Sequence, residues 1–408
     1  MTEGLANARG EPTEALEQLY RVWSHGGAGM LLSGNVIIDR DHLERPGNVI
    51  IDQPPSPEMQ AALKRWASAG TEGGNHFWMQ ISHAGRQTQK NINPAPKAPS
   101  AVDMLLPGGR FGPPQPLTEA EIIDLIGRFT TAAAAAKEAG FTGVQIHAAH
   151  GYLVSQFLSP RTNQRTDGWG GSLENRARFL MEIVRSVRAV VGPGYPVSVK
   201  LNSADFQRGG FEFEDSLRVA SWLEAAGVDL LEISGGSYEQ PVMAGLAGVE
   251  EPVQTLKVAA STVAREAYFV DFAKAMKAHL QTMPLLVTGG FRTRAAMEQA
   301  LSAGATDLIG VARPLCAAPD ACRELLAGAA EMPRFESQLS LLPPWLKWAE
   351  ANLTIRAVAG FAIQFWYYAQ IDHLGRTGRP RPEQSVFSAF RQLERHNRDW
   401  LAARNRLG

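Results

Sequence analysis

The run Gln145–Phe179, QIHAAHGYLVSQFLSPRTNQRTDGWGGSLENRARF, packs His147, His150, Tyr152, Arg161, Asn163, Arg165, Asp167, Arg176 and Arg178 into a short space. It starts as an apolar strand and ends as a helix, and a loop that merely connects elements does not need such a set. Polar loops at strand ends are where α/β enzymes keep their chemistry. The ends of other apolar runs add Gly34 and Asn35, Gln80 and His83, Lys200, Ser234–Gly236, Gly289–Gly290 and Ala312–Arg313. This collection is glycine-rich, amide-bearing and cationic, and it lacks the clustered Asp and Glu of a magnesium site. Three histidines at separate strand ends raise zinc as a ligand. No third ligand flanks His147 and His150, however, and the neighbouring Gln and Lys suit an organic anion better, so no metal is expected.

VTGGFRTRAAMEQAL (Val287–Leu301) reads as a strand, a glycine turn and a helix. Gly289, Gly290 and Phe291 can aim backbone N–H groups at a phosphate, helped by the helix N-terminus, and Arg313 after the next strand can add a bidentate contact. A lone glycine pair is more simply a tight turn, but its position late in the barrel and the paired arginine favour phosphate. Lys200 also has several readings. It is a Schiff-base lysine, a structural ion pair, or a fixed cation beside an anionic cofactor atom, where at ~4 Å and an effective dielectric near 20 it contributes roughly 4 kcal/mol before desolvation.

The elements that must hold these groups alternate. Strands are expected at Gly29–Gly34, His76–Ser82, Gly143–His147, Val197–Leu201, Asp229–Ser234, Pro284–Thr288 and Asp307–Val311, all nearly continuously apolar, as strands covered on both faces are. Helices are expected near Thr13–His25, Pro57–Ala69, Glu119–Ala139, Leu173–Val191, Glu214–Ala226, Glu266–Gln281, Thr293–Ala303 and Pro319–Gly328. Thr118 and Glu121 form a capping box, Gly140 a left-handed C-terminal cap, and Ser172 another N-cap. The repetition predicts an α/β fold, a TIM (β/α)8 barrel over residues 1–330, with a C-terminal helical extension over 331–408. Seven strands against eight helices means either that a strand escapes the count or that the chain starts after the barrel's first strand. The loop Lys90–Pro116 is expected to cap the barrel mouth. In the extension, helices are expected near Pro344–Gln370 and Glu383–Arg404. The aromatics Trp345, Trp348, Phe361, Phe365, Trp366, Tyr367 and Tyr368 form a packing face against the barrel, with a homo-oligomer contact as the alternative.

The 408 residues are 45% hydrophobic and 20% charged, enough for a sizeable core. A net charge of −1 gives no reason to expect nucleic acid or a membrane surface as partner. Two cysteines, Cys316 and Cys322, argue against a disulfide framework or an iron–sulfur cluster and fit a reducing cytoplasm. The strand–helix turns carry no GxGxxG fingerprint.

Four motifs then carry a resemblance: WMQISHAGRQ (Trp78–Gln87), IHAAHGYLVSQFLSP (Ile146–Pro160), NQRTDGWGGSLENRARF (Asn163–Phe179), and VTGGFRTR with GVARPL. Over nearly all of residues 1–330 the chain resembles the old yellow enzyme family of FMN-dependent ene-reductases and NADH:flavin oxidoreductases. The resemblance implies FMN as cofactor, NADH or NADPH as reductant, and a small enone-type substrate. Gln80 matches the glutamine on the flavin pyrimidine edge. Lys200 stands where the family usually has arginine, under the flavin N1 and C2 carbonyl; the charge is kept and the planar fork lost. Gly289, Gly290 and Arg313 match the phosphate site, and Gly34 joins the cofactor-binding set. His147 and His150 match the pair that bonds a substrate carbonyl, and Tyr152 the donor of a proton to the α-carbon. Ser234–Gly245 and Tyr268 are expected to shape the substrate pocket.

MTEGLAN resembles the end of the family's first strand, where a Thr or Cys sits beside the flavin C4 carbonyl; Thr2 occupies that place. The expectation is a barrel truncated before Met1, with poor FMN binding as its consequence. Two other function classes stand beside the ene-reductase: a Schiff-base lyase or aldolase using Lys200, and a flavin-binding paralogue without turnover.

Overall fold

Every one of the seven apolar runs forms a strand. The computed structural model describes residues 2–106, 108–239, 268–342, 345–346, 348 and 353–407. Its strands are β1 (Met30–Ile37), β2 (Val49–Ile50), β3 (His76–Ser82), β4 (Lys97–Ala98), β5 (Gln115–Pro116), β6 (Gly143–Ala148), β7 (Val197–Asn202), β8 (Leu230–Ser234), β9 (Leu285–Thr288) and β10 (Leu308–Gly310). Eight of them make one sheet in the order β10-β9-β8-β7-β6-β3-β1-β2, with every pairing parallel. Helices return the chain between strands, as parallel pairing requires.

The expected helices Glu119–Ala139 and Leu173–Val191 are present with those bounds, because their caps are written in local sequence. Thr118 Oγ1 accepts from Glu121 N–H at 3.3 Å, and Glu121 Oε2 accepts from Thr118 N–H at 2.7 Å. Gly140 closes the first helix at φ 93° and Ser172 caps the second. Such caps contribute ~1 kcal/mol each. Beneath β3, the rings of Tyr20, Trp66, Phe77 and Phe141 pack edge-on, stacked or tilted, with centroids 4.5–5.6 Å apart. This cluster fixes the strand that carries Gln80.

One expectation needs correction. The strand count of seven missed β2, which pairs with the outer edge of β1 through Val36↔Val49 and Ile37↔Ile50. Two residues after a Pro-Gly turn are too few for any periodicity to register. The loop Lys90–Pro116 holds a small separate sheet, in which β4 and β5 pair. Its middle is pinned from two sides. Arg86 donates to the carbonyls of Val102 (3.1 Å) and Asp103 (2.8 Å) and pairs with Glu239, whose other oxygen accepts from Leu105 N–H at 2.7 Å.

Residues 2–5 lie along β1 without forming a strand. Side chains satisfy the β1 edge instead: Gly34 N–H donates to Glu3 Oε1 at 2.7 Å and Asn35 N–H to Thr2 Oγ1 at 3.4 Å. The last helix, Val386–Asn405, holds this segment from outside. Trp400 Nε1–H donates to Ala6 O at 3.1 Å, and His396 Nε2 lies 3.2 Å from Gly4 O. The preceding helix runs Leu353–Thr377, longer at its C-terminal end than expected. Trp366 and Tyr367 are buried there as a packing face, whereas Trp345 and Trp348 are 73% and 75% exposed. Residues 343–344, 347 and 349–352 and the Phe361 side chain lie outside the described residues. No helix among the described residues is long and apolar enough to cross a membrane.

Candidate active site

Parallel register lines up the polar positions. Asn35 pairs with Gln80 across β1 and β3, His147 with Lys200 across β6 and β7, and Lys200 with Glu232 across β7 and β8. Their side chains join into one hydrogen-bonded belt. Gln145 Nε2 donates to Glu232 Oε2 (2.8 Å), and Lys200 Nζ lies 3.3 Å from Glu232 Oε1. Lys200 also donates to Gln80 Oε1 (2.8 Å), Gln80 to Asn35 Oδ1 (2.8 Å), and Asn35 Nδ2 to Glu44 Oε2 (2.6 Å). Thr2 Oγ1 donates to the same Glu44 oxygen. The structural-pair and fixed-cation readings of Lys200 are therefore compatible. Held by a carboxylate and an amide oxygen, it is poorly placed as a free amine nucleophile.

At the end of β6 the chain turns sharply. His150 has φ 61° and Gly151 φ 76°, a left-handed pair that a non-glycine residue rarely enters without support. Support comes from Asn202 Oδ1, which accepts from His150 N–H at 3.0 Å, and from Gln87 Nε2, which donates to His150 O at 3.1 Å. The turn brings three rings together. His147 lies 5.0 Å from His150 and 4.8 Å from Tyr152, both edge-on. His147 Nδ1 accepts from Ala149 N–H at 3.2 Å, so the neutral ring carries its proton on Nε2. His150 Nε2 is 2.5 Å from Ser234 Oγ.

Burial, then the neighbouring His150 and Lys200, keep His147 well below the ordinary histidine pKa; burial and Lys200 bring His150 to about 3. Burial first, then the Glu44 charge and the Tyr238 hydroxyl, raise the Tyr152 phenol well above its usual value. The site thus offers neutral imidazoles and a protonated phenol.

His83 sits elsewhere. It stacks on His42 at 4.5 Å, and both face Asp39, at 3.7 and 3.1 Å. These three are the one cluster among the described residues with metal-ligand spacing. Yet His42 Nε2 accepts from Lys97 N–H (2.8 Å) and His83 Nδ1 from Gly85 N–H (3.0 Å), which leaves N–H, not lone pairs, facing Asp39. Two donors on one carboxylate are not three ligands for a cation. Burial pushes the Asp39 carboxyl up, but the His42 and His83 rings facing it outweigh that and hold Asp39 well below the carboxylate range. Burial, then His42, lowers His83 to about 4.

A pH prediction follows for stability. His83, His147 and His150 have folded pKa values depressed below the unfolded value of ~6.5, so between pH ~6.5 and ~4 the unfolded chain binds more protons than the folded one. Stability is full above pH ~6.5 and falls with acid, at ~1.4 kcal/mol per pH unit for each such histidine. Urea denaturation at several pH values should give this slope, and His150→Gln should make it shallower; a flat profile above pH 4.5 contradicts it.

The second cationic area follows β9. Gly289 (φ 131°) and Gly290 (φ 79°) make the turn, and Thr293 caps the helix Arg294–Ser302. Arg313 opens a single 3-10 turn after β10. Its charge acts on Arg292, which the sequence reading passed over and which is buried and paired with Glu336 at 3.0 Å. Gly34 is tighter than expected: a Cβ there would meet Glu3 Oε2 at 2.1 Å, so this chain's own Glu3 fills the space beside it. Residues 240–245 and the Tyr268 side chain lie outside the described residues.

The sequence profile of the NADH:flavin oxidoreductase / NADH oxidase family matches residues 1–331. The chain belongs to this family. A NADH-dependent flavin oxidoreductase of Hypocrea jecorina is 37% identical over 334 residues, covering 78% of this chain and 82% of that protein. A relative of the same description from Neonectria sp. is 36% identical, and the chain spans only 43% of its length. Two solved structures share the fold: an old yellow enzyme homologue from Zymomonas mobilis (TM-score 0.66, 24% identity, 84% and 91% of the two chains) and morphinone reductase (TM-score 0.63, 25% identity, 82% and 85%). The protein is thus an old yellow enzyme family flavin oxidoreductase, whose cofactor is FMN and whose reductant is NADH or NADPH.

The donor set of this flavin oxidoreductase fits FMN. The Gln80 amide and Lys200 ammonium suit the polar edge of a flavin, and a glycine turn beside Arg313 and Arg292 suits its phosphate. Sequence reasoning missed Glu44, Gln145, Asn202, Glu232 and Gln87. Of these, Glu232 left a trace, as a lone charge inside the apolar strand LLEIS.

Proposed function

We propose that this protein reduces the C=C bond of α,β-unsaturated carbonyl compounds with electrons from NADH or NADPH. The observation that carries the reading is the left-handed turn at His150, which gathers two neutral imidazoles and one protonated phenol at the end of β6. When bound, FMN supplies the hydride chemistry. Gln80, Lys200 and Thr2 hold its polar edge, Gly34 lines the same side, and Gly289, Gly290 and Arg313 hold its phosphate. Nε2–H of His147 and the ring of His150 donate to the substrate carbonyl oxygen and draw charge toward it. Tyr152 gives its proton to the α-carbon. Small, neutral molecules suit this site, and the reading places the enzyme in the cytoplasm, with residues 331–408 as a helical unit bracing the barrel.

The test is anaerobic stopped-flow on protein loaded with FMN. NADH or NADPH should bleach the flavin absorbance, and cyclohex-2-enone should then restore it. Bleaching without enone-dependent recovery overturns the substrate class and favours a flavoprotein lacking this turnover. A lysine adduct trapped by borohydride would favour the lyase reading instead; the Lys200–Glu232 pair speaks against it.

A further inference from the structure

Behind Tyr152 lies a second phenol that the proposed chemistry does not use. Tyr238, four residues beyond β8, places its hydroxyl 3.0 Å from the Tyr152 hydroxyl. Its backbone N–H donates to Gln87 Oε1 at 3.3 Å, and Gln87 is one of the two residues that steady the His150 turn. Tyr152 is 5% exposed, whereas Tyr238 is half-buried and so forms the solvent side of the pair. Beyond Tyr238 stands Glu44, a buried carboxylate. Three donors among the described residues point at it: Thr2 Oγ1, Asn35 Nδ2 at 2.6 Å and the Tyr238 hydroxyl at 3.4 Å. That is the pattern of an acceptor-only, ionised group. With its own proton directed at Glu44, the Tyr238 oxygen is left to accept from Tyr152.

We propose that Tyr238 and Glu44 form a proton relay behind Tyr152, in which Glu44 keeps both phenols protonated and Tyr238 restores the proton that Tyr152 gives away. The inference rests on the reading of Tyr152 as proton donor. The steps balance. The Tyr152 O–H bond breaks as a C–H bond forms at the substrate α-carbon. Tyr238 rotates its hydroxyl from Glu44 to the Tyr152 phenolate and transfers its proton there. Tyr238 then takes a proton from solvent, so each turnover consumes one solvent proton and moves no electrons along the relay. A Tyr238 phenolate beside the Glu44 carboxylate is electrostatically costly, which drives its reprotonation from solvent. Both phenols are raised well above the ordinary tyrosine value, by burial first and Glu44 second.

Other ionisable groups facing the pair act less directly. His147 touches the Tyr152 ring and His150 stands behind it, both neutral. Tyr368, from the helix Leu353–Thr377, is a third phenol nearby, and Arg45 lies over its ring at 3.9 Å. None of these hydrogen-bonds the two hydroxyls among the described residues. Tyr238 and Glu44 act through Tyr152 and are positioning residues.

The experiment compares Tyr238→Phe, Glu44→Gln and Tyr152→Phe, with Tyr195→Phe as a control for a half-buried phenol bonded elsewhere, to Phe141 O. Ultraviolet tyrosinate titration needs no turnover. In Glu44→Gln, phenol ionisation should move at least one pH unit lower, a tenfold change in proton concentration, and the alkaline limb of cyclohex-2-enone reduction should move with it. Tyr238→Phe should slow enone reduction about tenfold and enlarge its solvent isotope effect, because reprotonation of Tyr152 then limits turnover. Tyr195→Phe should do neither. A Tyr238→Phe enzyme with the parent's rate and isotope effect, or an unmoved titration in Glu44→Gln, overturns the relay. If Tyr152→Phe itself keeps the parent's enone rate, the proton-donor reading fails and takes the relay with it.

Discussion

Tyr152→Phe is expected to cut enone reduction by about 10²–10⁴-fold, the usual contribution of a positioned general acid. Reduction of the flavin by NADH should stay near the parent's rate, because that half-reaction needs no proton at the substrate α-carbon. The asymmetry is what the geometry demands. Tyr152 is buried against His147, its phenol is held protonated by burial and by Glu44, and its backbone caps the helix Leu153–Leu158. Phenylalanine keeps the ring and its edge-on contact while removing only the hydroxyl, so folding should survive. Stopped-flow traces of the two half-reactions separate the outcomes. Equal losses in both would mean that Tyr152 serves the cofactor pocket rather than proton transfer.

What could be read in advance divides along a physical line. Caps and periodicity are local, so Thr118, Glu121, Gly140 and Ser172 announced helix ends that the structure keeps. The seven longer strands of the sheet were equally legible, because parallel strands covered on both faces are written as apolar runs, whereas two-residue β2 was not. The belt around the site was only half legible. Lys200 in VSVKL and Glu232 in LLEIS each advertise a charge that needs a partner, but their pairing depends on β7 lying beside β8 in one particular register. Glu44 gave no signal at all. Its contact with Tyr238 spans 194 positions of sequence and is made by two loops with no periodicity to read. Thr2 was expected at a strand end; it reaches β1 through its hydroxyl instead, an arrangement that depends on the C-terminal helix closing over residues 4–6. The His150 turn was also hidden, since histidine is not a residue from which a left-handed conformation is inferred.

The Lys200–Glu232 pair makes the second large expectation. Lys200→Met should cost about 3–5 kcal/mol of folding stability, the range for removing one partner of a buried ion pair. Glu232 is 1% exposed, and without Lys200 only Gln145 among the described residues still donates to it. Glu232→Gln should cost less, because Lys200 keeps Gln80 as a partner and its side chain is 12% exposed. The double substitution should recover much of the loss, since two neutral groups need no counter-charge. The pH dependence supplies the sharper check. An unpaired, buried Glu232 would have its folded pKa raised above the unfolded value. The neutral form would then be favoured in the folded state, so the penalty of Lys200→Met, taken against the parent at the same pH, should be largest near pH 8 and shrink toward pH 5. Urea denaturation of the FMN-free proteins measures it without interference from lost flavin contacts. A penalty that is the same at both pH values, with no recovery in the double variant, would mean that lost packing of the lysine stem, rather than a stranded charge, is what the substitution exposes.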